Sequence, residues 1–171
     1  MKNNICIFGM VKDYTSKVAK RVADKFEMFF ADVDALIEFD LINTNMVKDI
    51  CGKEYLEKQE RKKVKQVATF ENTLITLRFA LLNDDSNLKV LNENCLMIYL
   101  KLDKPTYDKK LGRNKNDKLN KLINLSVFDE RNKILEEKAD LIVDCSELDM
   151  LKSANLIKDT ILKYYGCSYG N

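Results

Sequence analysis

The chain has no histidine and no tryptophan, and only one proline and five glycines in 171 residues. Without histidine there is no Ser-His-Asp or Cys-His chemistry, no imidazole general base and no ordinary zinc site. Any chemistry must come from carboxylates, lysine, arginine or hydroxyls. No apolar run approaches the ~18 residues that span a membrane. Met1-Lys2-Asn3-Asn4 leads straight into an apolar strand, without the length or small-residue cleavage site of a signal peptide. Charge is nearly balanced: 29 Lys and Arg against 27 Asp and Glu leave a net +2, which gives no general affinity for nucleic acid. Five cysteines (Cys6, Cys51, Cys95, Cys145, Cys167) form no C-x-x-C pair. Their odd number and wide spacing read as a reduced, cytoplasmic protein with Cys6, Cys95 and Cys145 in its core.

What is present is the material of a layered domain. Hydrophobic residues make up 46% of the chain, and its length suffices for one domain with a sizeable core. Near-continuous apolar runs over residues 5–9, 28–31, 73–77, 95–100 and 141–145 are predicted strands, buried on both faces. Helical patterns separate them. Residues 16–26 carry Val18, Ala19, Val22, Ala23 and Phe26 as a 3.6-period stripe. The charged stretch 53–69 has Tyr55, Leu56, Val64 and Val67 as its expected buried side, and 148–165 repeats Leu, Ile and Ala at helical spacing. Pro105 suits the first turn of a helix after the fourth strand. Strands alternating with helices argue for an α/β fold with a parallel sheet. No linker composition or internal repeat divides the chain, so one domain is expected.

From Ile5 to Lys17 the chain starts as a phosphate-binding loop would and then departs from it. Such a loop reads G-x-x-x-x-G-K-[ST] between a strand and a helix. Counted from Gly9, the second glycine falls on Tyr14 and the lysine on Thr15; only Ser16 fits. Loop glycines reach backbone conformations that cost other residues ~1–2 kcal/mol each. They also leave room for phosphates against backbone N–H groups. Later, residues 104–121 are dense in Lys and Asn, with Gly112 and Arg113 near the centre. This segment reads either as a solvated loop and helix edge or as a basic lid over a phosphorylated substrate.

Two further segments carry candidate site residues. Phe29-Phe30-Ala31-Asp32-Val33-Asp34 precedes Ala35-Leu36-Ile37-Glu38. Carboxylates at i and i+2 at the C-terminal end of a strand both reach the crevice where ligands sit in open α/β sheets. The same pair also reads as a helix N-cap at Asp34 with Asp32 on the surface. Phe128-Asp129-Glu130-Arg131 precedes Ile134-Leu135-Glu136-Glu137-Lys138-Ala139-Asp140-Leu141-Ile142-Val143-Asp144, where Arg131 taken alone reads as an exposed helix arginine, a planar two-pronged donor.

With Tyr99-Leu100 and Pro105, these segments resemble the shikimate kinase family over residues 3–165. The family carries F-x-D-x-D followed by a D/E-L-I-E helix, and E-R-x-P-L-Y-x-x-x-A-D before a strand; this chain lacks the Pro and Tyr of the second pattern. The resemblance implies a three-layer α/β/α fold with a five-stranded parallel sheet of P-loop kinase type. It also implies ATP-dependent phosphorylation of shikimate or a related small hydroxy acid, with ATP and Mg²⁺. By that resemblance Ser16 and Asp32 would hold the metal. Asp34 would bind substrate hydroxyls and act catalytically, and Arg131 would grip the substrate carboxylate. Gly9, Lys12, Thr15, Ser16, Lys17 and Arg113 of a lid near 110–125 would face the nucleotide.

The departures from the family fall on these sites. Lys12 and Tyr14 replace loop glycines, and Thr15 replaces the catalytic lysine. Leu77, Arg78 and Phe79 replace a triple glycine, where Arg78 would restore a positive group on the substrate side. Glu57 stands where the family has a substrate-binding arginine. Loss of one preorganised donor typically costs ~10²–10³ in rate, so weak or absent activity is expected. The alternative is a catalytically inactive relative that acts as a ligand-binding, regulatory or partner-stabilising module. The expected partners are a shikimate-like acid or, for an inactive relative, a protein, and neither nucleic acid nor membrane.

Overall fold

The five apolar runs become five parallel strands of one sheet, ordered β2-β3-β1-β4-β5. The computed structural model describes residues 2–111 and 127–167. In chain order the elements are β1 (Asn4–Gly9), α1 (Lys12–Phe26), β2 (Phe29–Asp32), α2 (Val33–Leu41), α3 (Thr44–Cys51) and α4 (Lys53–Ala68). Next come β3 (Thr73–Thr76), the single turn α5 (Phe79–Leu82), α6 (Asp85–Asn94), β4 (Cys95–Lys101) and α7 (Lys104–Leu111). The last are α8 (Phe128–Glu137), β5 (Leu141–Asp144) and α9 (Met150–Tyr164).

The side-chain period of two divides each central strand between two cores. Ile5 and Ile7 of β1 and Leu96, Ile98 and Leu100 of β4 pack beneath α1 and α9, against Val18, Val22, Ile157 and Ile161. The alternate residues Cys6, Phe8, Met97 and Tyr99 pack on the opposite face, with Val64 and Val67 of α4 and Leu91 of α6. Phe8 and Tyr99 stack across β1 and β4 with ring centroids 5.9 Å apart. Cys6, Cys95 and Cys145 are all buried, as expected from their apolar runs, whereas Cys51 and Cys167 are exposed. Burial pushes the Cys95 thiol up to about 12 and the Cys145 thiol up to about 11.

The chain runs from β1 across β3 to the edge strand β2, returns to β3, and then crosses β1 to reach β4. Successive connections therefore leave β1 and β3 in opposite directions. A crevice opens between their C-terminal ends, which is where open parallel sheets take ligands. Asp32, Arg78 and the β1–α1 corner all lie at this end.

Two helices differ from the sequence expectation. Helix α1 starts at Lys12, four residues before the apolar stripe was expected to begin. In α4 the expected buried residue Tyr55 is 44% exposed, while Glu60 lies inward with Val64 and Val67. Positions 60, 64 and 67 follow i, i+4, i+7 spacing and so share one helical face.

Candidate active site

Only Met10 and Val11 separate the end of β1 from the start of α1. The Thr15 N–H donates to the Val11 carbonyl at 2.9 Å, which is already an i to i−4 helical bond. Residues 12–15, which the motif would leave in an open loop, are thus wound into helix. Gly9 is needed for close packing: a Cβ there would lie 2.5 Å from the Thr15 hydroxyl oxygen and 3.1 Å from the Leu100 carbonyl oxygen. The Thr15 side chain is buried, with no hydrogen-bond partner for its hydroxyl among the described residues.

Tyr14 is buried between α1 and α9. Its hydroxyl donates to the Leu148 carbonyl at 3.2 Å and lies 2.9 Å from the Ser153 hydroxyl, which can donate in return. Burial raises the phenol above its usual range. The Lys110 ammonium sits 3.6 Å from the ring centroid, a close cation–π contact. A cleft of about 570 Å³ remains at this corner, lined by Val11, Lys12, Tyr14, Lys17, Lys110 and Met150.

Asp32 ends β2 and caps α2, taking the Ala35 N–H on Oδ1 at 3.2 Å. The cap is therefore Asp32, and Asp34 falls in the first turn of α2. Oδ2 of Asp32 receives the Ser16 hydroxyl at 2.7 Å and the Lys12 ammonium at 3.2 Å. Lys12 and Ser16 are four residues apart on α1, so one helical face presents both donors. Burial pushes the Asp32 carboxyl up, but the bonds from Ser16, Ala35 and Lys12 outweigh it and hold the group below its ordinary value.

Asp34 meets Arg78 twice. The Arg78 backbone N–H donates to Oδ2 at 2.8 Å, and Nη1 of its guanidinium pairs with Oδ1. The other arm, Nη2, reaches Oε1 of Glu60 at 2.5 Å. Burial favours deprotonation of Arg78, but its two carboxylate partners prevail and raise its pKa further above the ordinary value. One side chain thus ties together α2, α4 and the turn after β3. Sequence reasoning missed Glu60. The signal was present: a carboxylate on the same stripe as Val64 and Val67 requires a cationic partner. Beside this clamp a cleft of about 320 Å³ is lined by Lys48, Glu57, Glu60, Arg61, Arg78 and Asp84. Glu57 pairs with Lys53 at 3.3 Å, and Arg61 pairs with Asp84 at 2.8 Å.

Arg131 lies in α8, its guanidinium carbon 5.2 Å from the centroid of the Phe79 ring. The helix is docked by polar contacts on its neighbouring residues. The Tyr99 hydroxyl donates to Asn132 at 2.8 Å, Asn132 donates to Glu136 at 2.9 Å, and Glu136 pairs with Lys101 at 2.7 Å. Lys17 is exposed on α1. Arg113 and the expected lid at 110–125 lie outside the described residues beyond Leu111. A larger cleft, about 910 Å³, lies around Asn4, Phe70, Leu96 and Tyr165. It is at the N-terminal end of the strands, away from both motif aspartates.

A family model for shikimate kinase matches residues 15–162. The chain belongs to the shikimate kinase family. Among curated relatives it is similar to a shikimate kinase of Dehalococcoides mccartyi, 25% identical over 98% of each chain. It is also similar to one of Sulfurihydrogenibium, 29% identical over 67% of this chain and 68% of the relative. Among solved structures, a shikimate kinase from Acinetobacter baumannii in complex with shikimate superposes with a TM-score of 0.79 at 17% identity, covering 95% of this chain and 94% of that one. The last comparison speaks to fold alone.

The family implies ATP and Mg²⁺ for an active member, and the side chains present fit neither well. A divalent cation needs several oxygen ligands, whereas Lys12 already holds Oδ2 of Asp32 and Arg78 holds both oxygens of Asp34. Among the described residues no group of three acidic, Cys or His side chains is placed to hold a metal. A helix start leaves its first-turn N–H groups free, but a phosphate loop also needs span and room around them. Only Met10 and Val11 separate β1 from α1, and the Tyr14 ring is packed beside them. Among the described residues no helix is long and apolar enough to cross a membrane.

Proposed function

We propose that this member of the shikimate kinase family transfers phosphoryl groups from ATP to shikimate, or to a related hydroxy acid, weakly or not at all. Its retained crevice serves instead as a ligand-binding or partner-stabilising module. The observation that carries this reading is the start of α1 at Lys12, which turns the phosphate-loop segment into helix. Position 15 holds a buried threonine, so no lysine projects from the place where the motif supplies one. The substrate side supports the same reading. A carboxylate entering the Arg78 clamp would meet Glu57 and Glu60, while the guanidinium is already shared by Asp34 and Glu60. Each charge-assisted bond not made forgoes ~1.5–3 kcal/mol.

Two measurements test it. Calorimetric titration with MgADP is expected to give no heat up to millimolar nucleotide, confirmed by an unchanged thermal transition. An ADP-release assay with MgATP and shikimate is expected to run at least ~10⁴-fold below a family member with an intact loop, since two or more preorganised donors are missing. Micromolar MgADP binding together with shikimate-dependent turnover would overturn the reading and leave a working kinase with an altered loop. The retained group of Ser16, Asp32, Asp34 and Arg131 is what favours that second outcome.

A further inference from the structure

We infer that Lys12 is a resident cation, occupying the cation position at Asp32 and making this corner indifferent to divalent metal. Three donors converge on the one carboxylate: Ser16 and Lys12 on Oδ2, and the Ala35 N–H on Oδ1. Its hydrogen-bonding capacity is largely filled and its charge is neutralised without any added ion.

The ammonium is held there by architecture. Lys12 opens α1 directly after a two-residue turn, and α1 is fixed to the sheet by the buried Val18, Ala19, Val22 and Ala23. One helical turn on, Ser16 aims at the same oxygen. A lysine on an open loop would lose more conformational freedom on pairing than one rising from a packed helix. The second motif carboxylate does not lend itself to a metal either, since Arg78 supplies both of its oxygens with donors. A divalent ion entering at Asp32 would have to displace an ammonium or sit beside it, and like charges at that spacing repel strongly in a partly buried site.

The experiment needs neither nucleotide nor acid substrate, so its result is independent of the proposed function. Mn²⁺ is titrated into the wild-type protein and into Lys12→Gln while amide intensities are followed by two-dimensional NMR. Bound Mn²⁺ broadens nearby amides, and the method reads even weak occupancy. In Lys12→Gln the amides of Ser16, Asp32 and Ala35 should broaden at about tenfold lower Mn²⁺ than in the wild type. Adding Asp32→Asn to that variant should cancel the effect. Equal broadening of these amides in wild type and Lys12→Gln, or none in either, would overturn the inference. A second reading needs no variant: the thermal transition of the wild type should be the same in EDTA as in millimolar Mg²⁺. A rise of several degrees with Mg²⁺ would equally overturn it.

Discussion

At the β1–α1 corner the backbone departs from a phosphate loop, whereas across the crevice a single side chain, Arg78, does the neutralising. Helix replaces loop over residues 12–15, and Tyr14 turns into the core beneath α9. On the other side Asp34 still follows β2 as the motif requires, but Arg78 bridges it to Glu60. The difference teaches where reversibility lies. A side-chain clamp can be opened by one substitution. A wound helix whose first turn is anchored by a buried ring cannot be turned back into a loop without dismantling part of the core.

The largest expected effect breaks the corner. Tyr14→Ala removes a buried aromatic and leaves the Ser153 hydroxyl and the Leu148 carbonyl without their phenol partner. Large-to-small changes of this kind cost ~3–5 kcal/mol. Equilibrium urea unfolding should show that loss as a lower midpoint with an unchanged slope. The same reasoning bears on repair. Lys12→Gly, Tyr14→Gly and Thr15→Lys together recreate the loop motif, but they place two glycines in the first turn of α1, each costing up to ~1 kcal/mol, on top of the loss of the ring. The repaired chain should be much less stable than the wild type, and any nucleotide binding it gains should appear as a strong thermal shift by mass action. A Tyr14→Ala cost below ~1 kcal/mol, far under the usual range for a buried ring, would mean that the corner is not organised around it.

Opening the clamp should cost less. Arg78→Ala leaves the Asp34 and Glu60 carboxylates, 13% and 12% exposed, facing a site that has lost its cation. Breaking a buried pair costs ~3–5 kcal/mol; with the Arg78 side chain 40% exposed, solvent screening lowers the expectation to about 2 kcal/mol. Adding Asp34→Asn and Glu60→Gln to Arg78→Ala should recover most of the loss, because the stranded charges go with their partner. A thermodynamic cycle over the three positions, read by urea unfolding, measures that coupling. Additive effects would mean that the clamp is a surface contact and that the contrast with the corner is false.

How far this contrast could be read in advance depended on range. The central strands β1, β3 and β4 were legible because each is buried on both faces, so the apolar runs at 5–9 and 95–100 stand out. The edge strands β2 and β5, expected to be buried likewise, leave Phe29 and Ile142 exposed because a sheet edge is covered less completely. The failed loop motif was also legible, residue by residue. The helix that replaces it was not. Lys12-Asp13-Tyr14-Thr15 carries no strong start signal, and Val11 makes no side-chain cap, so nothing local announces the first turn. Asp32 and Asp34 were both identified as candidates, yet their partners arrive from 20 and 44 positions away in the chain. Arg78 was expected to face a substrate. It faces Asp34 and Glu60 because those carboxylates, largely withdrawn from water at α2 and α4, bind a guanidinium that is already attached to the chain.

The smallest expected effect concerns the titration of Asp32 at the corner. Asp32 is held below its ordinary value of 3.8 in the folded protein, although burial alone would raise it. A carboxyl with a depressed folded pKa binds fewer protons when folded than when unfolded, so stability rises with pH across that window. The contribution of Asp32 is therefore fully present above its unfolded value and is lost as pH falls through the folded one. Unfolding free energies measured by urea at a series of pH values should decline below about pH 4–5. Asp84, held down first by Arg61, and Asp144, held down first by Ser146, contribute to the same slope, so the informative quantity is the difference made by Asp32→Asn. That variant should flatten the acid limb by on the order of 1 kcal/mol, a modest figure because the Lys12 side chain is 37% exposed and its pair is screened. Lys12→Gln should flatten it less, since the Ser16 hydroxyl and the Ala35 N–H still favour the carboxylate. If Lys12→Gln removed the whole Asp32 contribution, the ammonium alone would hold the carboxylate down. If it removed none, the geometry of Ser16 and the α2 cap would suffice, and the cation at this corner would be a passenger on a site organised by hydrogen bonds.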